Sequence, residues 1–334
     1  MNENTLKYCP STLKEGFSSF SPLALRRLFQ GKKVSHILPF TLAFELPEQA
    51  AMQYLSISGV QEKYGLTIDK KLLRLTRGGE KGQYILKPIP NNHLKLVQEI
   101  PANEHLTMQI AKQVYGIATA ENTLVFFQDN QPAYLVKRFD YDLHGHKLQV
   151  EDFATLAGKS AQKGGSALKY EGSYEDMAML VKQFCAASPI ELERLFQQIL
   201  FNYLFSNGDA HLKNFSLIET PNGDMVLSPA YDLLCTRLHV NDSDMAPQEG
   251  LFSLDYETAS FRANAFYAYN DFFEFGLKIG LIEKRVEKLL SFFQQDYAST
   301  HQLIQNSFLS PDSQKQYTSL YFDKLKRLNY IFQE

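Results

Sequence analysis

The sequence predicts an α+β chain of two lobes, β-rich in its N-terminal part and mostly α-helical in its C-terminal part. Three observations carry this. From about residue 54 to 140, short apolar runs bounded by Gly, Pro and Asn read as antiparallel strands with one helix among them. After about residue 140 the apolar spacing becomes helical, most clearly over Glu191 to Ser206. With 334 residues, the chain exceeds what one hydrophobic core usually serves. The expected organisation is an N-terminal extension over 1–50 that wraps onto the core, a β-rich lobe over 51–140 and a helical lobe over 141–334.

In the extension, Pro10, Pro22, Pro39 and Pro47 punctuate the chain. Only Pro22 to Gln30 reads as helix, with Ser21 as N-cap and Pro22 at the first helical position. Strands follow at Tyr64–Ile68, Leu72–Thr76 and Gln83–Lys87, the last ended by Pro88. A helix is expected over Ala102 to Tyr115, burying Leu106, Ile110 and Val114 on one face and stopping at Gly116. Two more strands, Thr123–Phe127 and Pro132–Phe139, are joined by an Asp-Asn-Gln turn. Lys159 to Tyr174 is a Gly/Ser/Lys-rich loop without periodicity. In Glu191–Ser206 the stripe Leu192, Leu195, Phe196, Ile199, Leu200, Tyr203 and Leu204 defines the buried face. Phe215–Glu219 and Met225–Ser228 read as a hairpin around Pro221-Asn-Gly-Asp. Residues 241–250 form an acidic loop, and helices are expected near 271–280, 283–304 and 313–330.

Apolar residues make up 44% of the chain, too many for disorder, and the net charge of −3 argues against DNA binding by the chain alone. Cys9, Cys185 and Cys235 are far apart and lack metal-ligand spacing, so free thiols in a reducing cytosol are expected. No apolar run approaches the ~18 residues of a membrane span. No secretory signal peptide is visible, although this does not address export by another route.

The chemistry concentrates in Ser206-Asn-Gly-Asp-Ala-His-Leu-Lys-Asn-Phe215 and Ser228-Pro-Ala-Tyr-Asp232. An Asp, an Asn five residues on and a second Asp beyond a turn are the groups a protein-kinase-like scaffold needs for phosphoryl transfer. Asp209 reads as the base, while Asn214 and Asp232 offer Mg²⁺ the hard oxygen ligands it prefers. An isolated Asp–Asn pair at this spacing would more often brace a turn. The helix before it, the hairpin after it and Asp232 beyond favour the catalytic reading. Lys213 could steady a transferred phosphoryl group or be a solvated loop charge, with neither reading preferred. His211 suits a structural brace better than a catalytic group. Lys87 at a strand end fits a phosphate-binding lysine, and Glu104 in the next helix fits its partner. The alternative for Glu104 is an acid favoured in a first helical turn.

Together these segments resemble the HipA family of bacterial toxin serine/threonine kinases. The likeness rests on Ser-Ile-Ser-Gly-Val-Gln-Glu-Lys at 56–63, Ile-Leu-Lys-Pro at 85–88, Asn-Glu-His at 103–105, Val-Lys-Arg-Phe-Asp at 136–140, Gly-Asp-Ala-His-Leu-Lys-Asn-Phe at 208–215 and Pro-Ala-Tyr-Asp at 229–232. It implies a bilobal protein-kinase-like fold with ATP and Mg²⁺ bound between the lobes. The phosphates would meet a loop of Ser58, Gly59, Val60, Gln61, Glu62 and Lys63, together with Lys87. Adenine would meet a hinge of Lys137, Arg138 and Phe139. Asp209 would be the base, and His211, Leu212, Lys213 and Asn214 would line the nucleotide site with Tyr231 and Asp232. Lys137 departs from the acidic residue common at that hinge position.

The resemblance also implies autophosphorylation on Ser56, with Ser58 a second candidate because longer toxins usually carry Ala there. A loop phosphate would repel those of ATP and switch the kinase off. The early position of Ser56 is similar to the short HipT branch, whose partners are a small HipS-like antitoxin and a HipB-like helix-turn-helix protein that brings the complex to DNA. The implied substrate is an aminoacyl-tRNA synthetase in a bacterial cytoplasm. Two other functions are compatible with these residues: a small-molecule kinase of the phosphotransferase type, and a catalytically silent binding module.

Overall fold

The computed structural model describes residues 6–41, 51–56, 59–142, 144–159 and 166–333, with the backbone alone described for 51–56, 59–61 and Ser166. The N-terminal elements are α1 (Pro22–Phe29), β1 (Ala51–Ser56), β2 (Gly59–Asp69), β3 (Leu72–Leu75), β4 (Tyr84–Lys87), α2 (Ile100–Gln113), β5 (Asn122–Phe126) and β6 (Pro132–Lys137). Next come β7 (Val150–Asp152), α3 (Phe153–Leu156), α4 (Tyr174–Phe184), α5 (Ser188–Leu204), β8 (Ser216–Glu219) and β9 (Met225–Leu227). The chain closes with α6 (Ala259–Asn264), α7 (Tyr269–Lys278), α8 (Glu283–Phe293), α9 (Ala298–Gln305) and α10 (Pro311–Leu328). Two compact units result: Met1–Val114 with Thr119–Phe139 and Ala298–Lys315, and Tyr115–Ala118 with Asp140–Tyr297 and Gln316–Glu334.

The first unit is built on an antiparallel sheet in the order β1-β2-β4-β6-β5, with β3 added to β2. Side chains alternate across a strand, so each strand splits its residues between two faces. On one face Leu66, Tyr84, Leu86, Ala133 and Leu135 pack with Cys9, Ala24, Leu28, Phe29 and Leu38. The N-terminal segment is therefore part of this core. Leu28 and Phe29 are fully buried, each contributing about 1.5–3 kcal/mol. Backbone bonds hold the segment in place: Leu124 N donates to Pro10 O at 2.9 Å and Leu38 N to Phe126 O at 2.8 Å. The expected helix in this segment forms, with Ser21 Oγ accepting from Ala24 N.

Helix α2 packs on β5 and β6. Its expected single apolar face is corrected by the structure: Ile100 to Ala111 are all buried. The polar members find partners, as buried groups must. Gln109 Nε2 donates to Asn122 Oδ1 at 3.0 Å, Thr107 Oγ1 donates to Asn103 O at 2.9 Å, and the His105 ring bonds Ser11 O at 3.0 Å.

The second unit centres on α5, whose predicted stripe from Leu192 to Leu204 is buried throughout. The β8–β9 hairpin forms as expected, and β7 adds to β8. The loop expected up to Tyr174 ends one residue earlier. Ser173 and Asp176 make a reciprocal capping box that starts α4.

A second correction concerns 283–304, which is two helices, α8 and α9, rather than one. The break frees Tyr297 to bond Phe292 O at 3.0 Å and to set its ring 5.7 Å from Tyr115. Tyr115 also touches Phe201, Phe205 and Phe293, so this aromatic cluster outweighs helical continuity. Ala298–Lys315 then groups with the first unit, a return that a linear reading of the C-terminal helices does not anticipate. Among the described residues no helix is long and apolar enough to cross a membrane.

Candidate active site

The loop that carries Asp209 hangs from the end of α5. Ser206 turns the chain with φ +52°, a conformation that non-glycine residues adopt mainly at constrained sites. Asn207 ties the turn down: its Nδ2 donates to Asn202 Oδ1 at 2.8 Å and its Oδ1 accepts from Asp209 N at 3.3 Å. Gly208 N donates to Thr236 Oγ1 at 2.8 Å. A Cβ on Gly208 would lie well inside 3.0 Å of Ser243 O and of the Asp242 carboxylate, so the close approach demands glycine.

The next residues wind around the Asp209 carbonyl, which accepts from His211 N at 2.7 Å and from Asn214 Nδ2 at 2.9 Å. The bracing role expected of a bland Asp–Asn turn is thus real, and the amide nitrogen of Asn214 performs it. The remaining side-chain atom of Asn214 is its carbonyl oxygen, the donor a hard cation takes. Leu212 is buried while Lys213 points to solvent, its carbonyl accepting from the Tyr231 hydroxyl at 2.9 Å. Tyr231 also shares a hydrogen bond of 2.5 Å with Ser216 Oγ. Burial pushes its phenol up, so it remains a neutral brace. Asp232 follows with φ +54°, which Asp tolerates better than most residues. Its carbonyl accepts from Asn207 Nδ2 at 3.4 Å, coupling the two ends of the motif.

Two side chains approach the Asp209 carboxylate, and the charge of a third, Lys169, interacts with it. The Tyr170 hydroxyl donates to Oδ1 at 2.6 Å. His211 Nε2 lies 3.8 Å from the same oxygen. Burial, then the nearby Lys169 charge, pushes His211 down to about 3, so the ring is neutral at pH 7. Its Nδ1 is buried without a hydrogen-bond partner among the described residues. Lys169 is buried too. Desolvation lowers its basicity while the charges of Asp209 and Asp232 oppose that shift.

Sequence reasoning missed Lys169 and Tyr170. They sit in the segment read as an aperiodic loop, Tyr170 being 39 residues from its partner, and no local spacing points to a contact of that separation.

In the first unit, Lys87 Nζ meets Glu104 Oε1 at 2.6 Å and lies 5.3 Å over the Tyr134 ring. Glu104 is in the second turn of α2, not the first, so the helix-dipole alternative does not explain it. The segment expected as a phosphate loop is strand from Gly59 onward, because its backbone pairs with β1 in the register Ser56↔Gly59 to Tyr54↔Gln61 and beyond. Gly59, Val60 and Gln61 lie in that strand, the Glu62 carboxylate accepts from the Tyr64 hydroxyl, and Lys63 is half-buried. Ser56 ends β1, and Ser58 lies outside the described residues. Lys137 ends β6 and its Nζ donates to Arg27 O at 3.3 Å. Arg138 N donates to Gln83 O at 3.0 Å, and Phe139 is half-buried.

The sequence pattern of the HipA-like C-terminal domain matches residues 55–300. The chain belongs to this HipA-like family. A Haemophilus influenzae protein named "Putative kinase" is 29% identical over 332 residues, covering 91% of this chain and 92% of that protein. The "Serine/threonine-protein kinase toxin HipA" of Shewanella oneidensis is 29% identical over 234 residues, covering 64% of this chain and 49% of the toxin. The chain thus spans about half the length of that relative. The Shewanella HipA chain, solved with HipB and its operator DNA, superposes with a TM-score of 0.61 at 22% identity, covering 86% of this chain and 67% of that one. The α+β fold is therefore HipA-like and kinase-like, with a β-rich unit and a mostly helical unit, as expected.

Proposed function

We propose that this HipA-like chain is an ATP- and Mg²⁺-dependent serine/threonine protein kinase, the toxin of a toxin–antitoxin system. One observation carries the reading: Asn214 spends its amide nitrogen on the Asp209 carbonyl, leaving a carboxylate and an amide oxygen as the chemical ends of one short loop. Family membership adds support, since the Shewanella relative is named as a kinase toxin.

In this proposal Asp209 accepts the proton of a Ser or Thr hydroxyl as that oxygen bonds to the γ-phosphorus and the bond to ADP breaks. Asn214 and Asp232 would hold Mg²⁺, which when bound neutralises phosphate charge. Lys87, oriented by Glu104, would bind the α- and β-phosphates. The segment from Ser58 to Lys63 would cover them, and Lys137, Arg138 and Phe139 would meet adenine. His211, Leu212, Lys213 and Tyr231 would complete the nucleotide site.

The partner side of the proposal is a HipB-like helix-turn-helix protein, as in the Shewanella complex, through which DNA is reached indirectly. A HipS-like small antitoxin and placement in the short HipT-like branch belong to the same proposal. The proposed target is an aminoacyl-tRNA synthetase, and Ser56 or Ser58 is the proposed site of autophosphorylation.

The test is expression of wild type and Asp209→Asn in a bacterium, scoring growth and comparing phosphopeptides. Wild type should arrest growth and phosphorylate at least one host protein on Ser or Thr, while Asp209→Asn should do neither. Equal growth and equal phosphopeptides would overturn the kinase reading. Label passing only into small molecules would overturn the protein-kinase part, and absence of phosphate from 56–63 in active enzyme would remove autophosphorylation there.

A further inference from the structure

Tyr170 has no part in the reaction drawn above, yet it is the side chain that meets the Asp209 carboxylate at 2.6 Å. Its ring also stands edge-on to His211, centroids 5.2 Å apart and planes at 76°. The preceding Lys169 places its Nζ 4.9 Å from the Tyr170 ring centroid. One phenol therefore touches the proposed base, the neutral histidine beside it and a buried cation.

Two readings compete. Tyr170 could be a removable cover over Asp209, or a fixed part of the site. The backbone decides between them. Gln248 N donates to Tyr170 O at 2.8 Å, and Glu249 N donates to Gly172 O at 3.0 Å. Lys159 Nζ donates to Glu171 O at 3.0 Å. Ser173 then caps α4 immediately afterwards. A residue anchored at its own carbonyl and at each of the next three positions does not swing out without breaking several hydrogen bonds.

We propose that Tyr170 is a positioning residue for phosphoryl transfer at Asp209: its hydroxyl sets the direction of the carboxylate, and its ring holds His211 in place. The inference rests on the kinase reading. An aspartate turns about two side-chain torsions. A short hydrogen bond from a stiff aromatic donor removes that freedom before the acceptor arrives, which is what pre-organisation requires. Burial and the Asp209 charge both push the Tyr170 phenol up, so it stays protonated and remains a donor. Phe at this position would keep the ring on His211 and delete the donor alone.

The experiment compares wild type, Tyr170→Phe, Asp209→Asn and the double variant. Transfer of radiolabelled γ-phosphate from MgATP to proteins of a bacterial lysate is followed over a range of ATP concentrations, with thermal unfolding in parallel. Tyr170→Phe should lower the maximal rate by about 10- to 100-fold, the cost of a misplaced catalytic group. Its KM for ATP should stay within about two-fold of wild type, because uniform binding is not what is lost. Asp209→Asn transfers no phosphate, so coupling is read from thermal unfolding: Tyr170→Phe should lower the melting temperature less in the Asp209→Asn background than in wild type, since the hydroxyl and the carboxylate act as a unit.

A Tyr170→Phe protein as fast as wild type, or faster, would overturn the proposal, the faster result assigning Tyr170 as a cover. So would a loss confined to KM, an equal fall of melting temperature in both backgrounds, or an unfolded Tyr170→Phe protein, which would give the hydroxyl a purely structural role. A well-folded wild type that labels no protein is the failure of the kinase reading itself. The four melting temperatures then still report whether Tyr170 and Asp209 are coupled.

Discussion

Lys87 and Glu104 form a buried ion pair that joins the end of β4 to the second turn of α2, with 2.6 Å between Nζ and Oε1 and each side chain 4% exposed. Removing one partner of such a pair strands the other charge in a low-dielectric interior, which costs about 3–5 kcal/mol. Lys87→Met should therefore lower the urea midpoint strongly, while Lys87→Met combined with Glu104→Leu should recover much of the loss. If the two single losses simply add in the double variant, the pair is not coupled as the geometry states.

Gly208 is a second point of low tolerance. The proposed base follows it directly, and a methyl group there would collide with the Ser243 carbonyl, a backbone atom that cannot rotate away. Gly208→Ala should cost about 1–3 kcal/mol through overpacking. Phosphate transfer should fall more than thermal stability does, because the displaced residue is Asp209. Retained transfer activity in Gly208→Ala would show that the loop has room the structure does not display.

His105 gives a pH dependence with a definite sign. Burial pushes its ring down to about 4, against roughly 6.5 in an unfolded chain. Between those values the unfolded state binds the extra proton, so stability is fully present above about pH 6.5 and is lost as pH falls toward 4. The loss from pH 7 to pH 5 should be of order 1–2 kcal/mol from this residue. Urea titrations at both pH values, on wild type and His105→Gln, measure it as a shallower pH slope in the variant. An unchanged slope would contradict the assignment.

Asp244 collects three cations. Arg237 Nη2 stands 3.1 Å away and Arg327 Nη1 3.3 Å, and the Lys324 ammonium also contacts the carboxylate. The acidic loop expected at 241–250 thus joins the stretch after Asp232 to α10. Lys324 is buried, so Asp244→Asn leaves its charge without a counter-ion and should destabilise by about 3 kcal/mol or more. Lys324→Met should be the milder change. Chemical denaturation of the two variants checks the order, and the reverse order would place the network's stability elsewhere.

Much of the fold was legible because it rests on short-range patterns. The buried stripe of α5 is a helical period, the β8–β9 hairpin follows an Asn-Gly turn, and Ser21-Pro22 marks the start of α1. The capping box Ser173–Asp176 was equally readable in the sequence and would have placed α4. The break at 294–297 was not, since the residues on both sides keep a helical apolar period and the deciding partner, Tyr115, lies far away in sequence. The near-complete burial of α2 was hidden for the same reason. Its polar residues look solvent-facing until Ser11 and Asn122 supply their partners.

By itself the sequence determined the two-part β-then-α order, the Asp209–Asn214–Asp232 spacing and membership of the HipA-like family. These are properties of local period and of residues close together along the chain. The sequence also named Glu104 as the partner of Lys87; only the tertiary structure decided that this pair is buried, that Asn214 braces the Asp209 carbonyl, and that Tyr170 meets the Asp209 carboxylate. Burial and hydrogen-bond partnership depend on which distant segments are brought together, and a linear pattern of residue types does not encode that directly.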